Sequence, residues 1–82
     1  MMEMKRSNLA IYIDVLKVLR NQGPSNITSL MLKSNLNSKA LTKYLEFLVS
    51  QSIVEETTIC DKQVVFVIKQ KGVNFLKYFK EF

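Results

Sequence analysis

The side chains with most to offer chemically are a run of hydrogen-bond donors, Asn37, Ser38 and Lys39, followed one helical turn later by Thr42 and Lys43. Residues three and four apart share a helix face, so a helix starting at Ser38 would set Lys39, Thr42 and Lys43 on one side. Lys can donate to guanine, Ser and Thr can donate or accept at base or phosphate, and the first turn of a helix offers free amides to a phosphate. The stretch holds no Arg, whose bidentate fork makes the commonest specific contact with guanine. Grip on a phosphate backbone is therefore better supported than tight base readout by one copy.

Other chemistry is scarce. With no His and with Cys60 as the single cysteine, tetrahedral zinc sites and Ser-His or Cys-His catalysis are excluded in their usual forms, and no intrachain disulfide can form. The seven carboxylates make no acid–base pair; Glu55 and Glu56 are adjacent in a strand-like stretch and would point to opposite faces. The two glycines, Gly23 and Gly72, are too few and too far apart for a phosphate-cradling loop. No catalytic residue, metal or cofactor is expected, and the chain is read as a non-enzyme. Twelve Lys and Arg against seven Asp and Glu leave a formal charge of +5, which suits a polyanionic partner.

The elements that must position these residues follow from periodicity. A first helix is predicted from Ser7 or Asn8 to about Asn21, with Leu9, Tyr12, Val15, Leu16 and Leu19 on one face and Ile11, Ile13 and Val18 widening the stripe. Gly23-Pro24 ends it. A second helix should span about Asn26 to Ser34 and close at Asn35. A third, capped by Asn37, should run from Ser38 to about Gln51 on a stripe of Leu41, Leu45 and Leu48. Residues 52–59 then become strand-like, Cys60-Asp61-Lys62-Gln63 is the expected turn, and 64–68 return. Val64, Phe66 and Ile68 should meet the core, leaving Val65 and Val67 to be covered or partly exposed. The last helix is predicted over about Gln70–Glu81.

The order helix, helix, helix, hairpin, helix is that of a winged helix, and particular residues narrow it. The segment Ser29-Leu30-Met31-Leu32-Lys33-Ser34-Asn35-Leu36 is followed by Leu41-Thr42-Lys43-Tyr44-Leu45, then Ile53-Val54-Glu55, Ile68-Lys69-Gln70-Lys71-Gly72 and Phe75-Leu76. In this combination the chain resembles the small archaeal winged helix-turn-helix transcriptional regulators over about residues 10–80. Two positions depart from the family's usual pattern. Lys69 stands where a capping Thr is common, and Gln51-Ser52 replaces the Lys-Gly or similar pair before the first strand.

The resemblance implies an α+β, mainly α fold: a three-helix core, a β-hairpin wing and a C-terminal helix, forming a single domain over residues 1–82. It implies double-stranded DNA as partner and transcriptional regulation as function. The third helix, carrying Asn37, Ser38, Lys39, Thr42 and Lys43, would enter the major groove, while Thr28, Ser29 and Lys33 of the helix before it touch phosphates. Lys62 and Gln63 at the hairpin tip could reach the backbone, against the opposing charges of Asp61, Glu55 and Glu56. Lys5-Arg6 could form a short arm, although a solvated terminus is the plainer reading.

With 48% hydrophobic residues in 82, so small a domain commonly completes its core by pairing. The expected homodimer surface combines Ile11 and Tyr12 with Phe75, Tyr78, Phe79 and Phe82. An apolar surplus at Val65, Val67, Tyr78 and Phe82 supports a second reading, a protein–protein interaction module; a third is a non-specific architectural DNA-binding protein. No apolar run approaches the roughly 18 residues of a membrane span, no small-molecule effector is evident, and the expected location is the cytoplasm.

Overall fold

A computed structural model describes residues 7–60 and 62–79. It contains α1 (Asn8–Gln22), α2 (Ile27–Ser34), α3 (Ser38–Ser50), β1 (Val54–Ile59), β2 (Gln63–Ile68) and α4 (Gln70–Tyr78). The predicted order holds, and the architecture is a winged helix: three packed helices, an antiparallel hairpin and a terminal helix. Lys5, Arg6, Asp61, Glu81 and Phe82 lie outside the described residues.

Helix boundaries follow local chemistry. The side chains of Ser7, Asn26 and Asn37 accept from the backbone N–H of Ala10, Ser29 and Ala40, satisfying one otherwise orphaned donor at the start of each of the first three helices. Gly23 ends α1 at φ 84°, a conformation that costs Gly little, and its N–H donates to Leu19. Asn35 ends α2 in the left-handed region at φ 59°.

The end of α3 accounts for one departure from the family pattern. Ile53 N–H donates to the Leu48 carbonyl at 2.9 Å and Ser52 N–H to that of Val49 at 3.0 Å. This is a Schellman closure, whose pivot residue is usually Gly. Here Ser52 occupies the pivot at φ 62°, so the motif forms without its preferred residue. The other departure is visible at α4, where Lys69 is the N-cap and makes no side-chain cap hydrogen bond.

The core draws on every element. Val15, Leu16 and Leu19 of α1, Leu30 of α2, Leu41, Leu45 and Leu48 of α3, and Leu76 of α4 meet Ile53, Val54 and Phe66. Burying a Leu side chain contributes about 1.5–3 kcal/mol relative to exposure. Gly72 lets α4 approach closely: a Cβ there would lie 2.7 Å from Ile68 Cγ1 and 2.8 Å from the Ile53 carbonyl oxygen.

The hairpin pairs Val54 with Ile68 through to Ile59 with Gln63. Gln63 N–H closes the turn on the Cys60 carbonyl at 3.1 Å. On its other edge β2 meets the α1–α2 connection. Ser25 N–H donates to Phe66 and Phe66 N–H donates back, at 3.1 and 2.8 Å. This bridge has no signature in the sequence, because one residue is too short to show a strand period. One expectation is corrected: Val65 is only 6% exposed and adds nothing to a surface surplus. Its cross-strand partner on that face is Thr57, itself half-buried. Val67 is half-buried.

Candidate nucleic-acid interface

α3 is held as a rigid platform. Leu41, Leu45 and Leu48 are buried at its back, and Lys39, Thr42, Lys43 and Glu46 stand exposed in front. Asn37 and Ser38 are also exposed. The Asn37 Oδ1 is engaged by the Ala40 N–H at 2.8 Å, so its remaining hydrogen-bonding capacity is chiefly that of a donor.

These residues divide between two clefts. Asn37, Lys39 and Lys43 border one of about 480 Å³, together with Ala40, Tyr44 and the α1 residues Asn8 and Tyr12. Thr42 opens to the other side, into a cleft of about 370 Å³ between α3 and the hairpin, alongside Glu46, Glu56, Ile27 and Phe66. The basic and amide groups thus gather toward α1, and the carboxylates gather toward the wing. Sequence spacing alone had grouped Thr42 with the lysines; the packing of α3 between α1 and the hairpin separates their surroundings.

On α2, Thr28 and Lys33 are exposed. Ser29 is half-buried and accepts from the Gln22 side chain at 3.3 Å, so it is a less open phosphate ligand than its neighbours. At the wing, Lys62 and Gln63 are exposed, as are Glu55 and Glu56. Gln63 and Thr28 border a common cleft with Asn26 and Glu56, which brings the start of α2 beside the hairpin.

The residues expected at a pairing surface differ in how much area they leave free. Ile11 is 7% exposed within the chain's own core, so it has almost no area to give a partner; α1 is broad enough to bury this flank against its own neighbours. Phe75 and Phe79 are half-buried against the same core. Tyr78 is 83% exposed, with its ring edge-on to Phe79 at 5.3 Å. Tyr12 is half-buried but turned toward α3, lying between Tyr44 and Phe47.

Three residues escaped sequence reasoning. Asn8 enters the sequence reading only as a possible start of the first helix, yet its Oδ1 accepts from the Tyr44 hydroxyl at 3.0 Å. Phe47, 44% exposed on α3, stacks on Tyr12 at 5.1 Å; an aromatic on an otherwise polar helix face was the available signal. Leu32 is 77% exposed on α2.

Solved structures share this arrangement. The chain resembles Rv1404 from Mycobacterium tuberculosis (TM-score 0.81, 16% identity, 87% of this chain and 50% of that one). It also resembles Lactococcus lactis ZitR, seen in complex with DNA (0.74, 22%, 93% and 51%). A third is the reduced form of the transcriptional regulator YodB from Bacillus subtilis (0.75, 25%, 94% and 74%). The chain spans about half the length of the first two. No curated protein matches it. A family model described as winged helix-turn-helix matches residues 5–82, and the chain therefore belongs to the winged helix-turn-helix family.

Proposed function

We propose that this chain is a DNA-binding transcriptional regulator, of the archaeal kind its sequence resembles, that works as a homodimer. Each copy places the start of α3 in a major groove, with α2 and the wing on the flanking backbone. The observation that carries this is the outer face of α3: Lys39, Thr42 and Lys43 stand exposed on a helix locked by its Leu stripe and its Asn37 cap. Two resembling proteins support it, one solved with DNA and one a transcriptional regulator. The site residues are Asn37, Ser38, Lys39, Thr42 and Lys43, with Thr28, Ser29 and Lys33 and, more weakly, Lys62 and Gln63. Two copies pairing through α4, around Tyr78 and Phe79, would read a roughly palindromic site with half-sites about one helical turn apart.

The test is affinity for duplex DNA at low and moderate salt, for the parent and for a Lys39→Ala/Lys43→Ala variant. The parent should bind with a steep salt dependence and the variant more weakly and less steeply. Equal binding by the two proteins would remove α3 from the interface. A protein–protein module remains the second reading, favoured by the exposure of Tyr78 and Leu32. A monomer by light scattering that binds no duplex would favour it.

A further inference from the structure

Resting on the DNA-binding reading above, we infer that Asn8, Tyr12 and Tyr44 are positioning residues: they form a bracket between α1 and α3 that sets the pitch of α3 and with it the discrimination between DNA sequences.

The bracket has three directional contacts. The Tyr44 hydroxyl donates to Asn8 Oδ1 at 3.0 Å. Tyr12 meets Tyr44 edge-on, with centroids 5.3 Å apart at 79°, and stacks on Phe47 at 5.1 Å and 23°. Asn8 lies in the first turn of α1, which Ser7 caps, and Tyr12 one turn further along, so both stand on an anchored helix.

Packing sets the pitch coarsely, and the bracket refines it. The Leu stripe of α3 locks the helix onto the core and limits rotation or slide to small steps, but apolar burial itself has no preferred direction within those limits. Hydrogen bonds and edge-on aromatic contacts do have preferred geometry. The bracket acts on the turn that matters, because Tyr44 follows Lys43 directly and both, with Lys39, border the cleft that Asn8 and Tyr12 close. A small turn of α3 about its axis would swing both lysines. Phosphates can be followed by flexible Lys side chains after such a turn, whereas base edges demand a fixed approach. Loosening the bracket should therefore cost discrimination more than general affinity.

The experiment compares the parent, Tyr44→Phe, Asn8→Ala and the double variant. Each is titrated with a duplex enriched from a random pool by the parent and with a scrambled duplex of the same length and composition. Salt dependence and thermal midpoint are measured alongside. Tyr44→Phe should lower the ratio of the two affinities about three- to tenfold, the range of one net hydrogen bond. Affinity for the scrambled duplex, its salt slope and the thermal midpoint should stay close to the parent's. The double variant should lose no more than either single one, because both remove the same bond.

An unchanged ratio in Tyr44→Phe overturns the bracket while leaving the DNA reading intact. So does an equal fall on both duplexes accompanied by a lowered thermal midpoint, the mark of a purely structural role. A parent that binds no duplex removes the DNA reading and this inference with it, and a parent that binds both duplexes equally has no discrimination for the bracket to set.

Discussion

The third helix and the hairpin wing are both offered to DNA by the proposed reading, but they are built on opposite terms. α3 rests on three buried leucines and presents Lys39 and Lys43 against a single carboxylate, Glu46. The hairpin from Val54 to Ile68 carries one lysine, Lys62, against Glu55, Glu56 and Asp61. Its tip turns at Cys60, which takes φ 34°, and none of the described residues at the tip belongs to the core. Net positive charge and direct anchoring in the core coincide on the helix; the hairpin is net negative, and the described residues of its tip lack that anchoring. The helix should therefore carry the affinity and the wing should be a minor support, although the resemblance assigned contacts to each.

The largest effect should come from the platform beneath α3. Leu45→Ala should lower unfolding stability by about 2–5 kcal/mol, measured by urea denaturation, because the cavity adds to the lost transfer energy. A cost below about 1 kcal/mol would mean that α3 is loosely held and that the contrast with the wing is false. Next is its outer face. Removing both Lys39 and Lys43 should weaken duplex binding about 10- to 100-fold at moderate salt and reduce the salt slope by about two.

A smaller effect is expected where helix becomes hairpin. Ser52→Gly should stabilise the fold by about 0.5–1 kcal/mol, since a left-handed residue with a Cβ is strained and this pivot favours Gly. A loss of stability in thermal or urea unfolding would show that the Ser52 side chain contributes something its φ angle does not reveal. The smallest effect belongs to the wing. Lys62→Ala should change affinity less than threefold, about the weight of one exposed contact. A loss equal to that of the α3 pair would reverse the comparison and make the wing a principal contact.

Much of this was legible in the residues. The Leu41, Leu45 and Leu48 stripe, the Asn37 cap and the Gly23-Pro24 stop each act through neighbours within one or two turns, so their positions in the chain carry their meaning. The core face of β2 was legible in the same way. The Ser25–Phe66 bridge and the Asn8–Tyr44 hydrogen bond were not, because they join residues 41 and 36 positions apart that no local pattern links. The burial of Ile11 was not legible for a related reason. Periodicity identifies an apolar face but does not say whether that face meets the chain's own core or a partner.

The sequence by itself therefore determined the order of elements, the caps and stops that bound them and the inventory of groups able to meet a phosphate. Short-range hydrogen bonding and helical period settle all of these. Only the tertiary structure decided how those groups are distributed. It turned Lys39 and Lys43 toward α1 and Thr42 toward the acidic side of the hairpin, buried Val65 and Ile11, and set Tyr12 between Tyr44 and Phe47. The physical reason is that a helix exposes whatever its neighbours leave uncovered, and those neighbours are chosen by the packing of the whole chain.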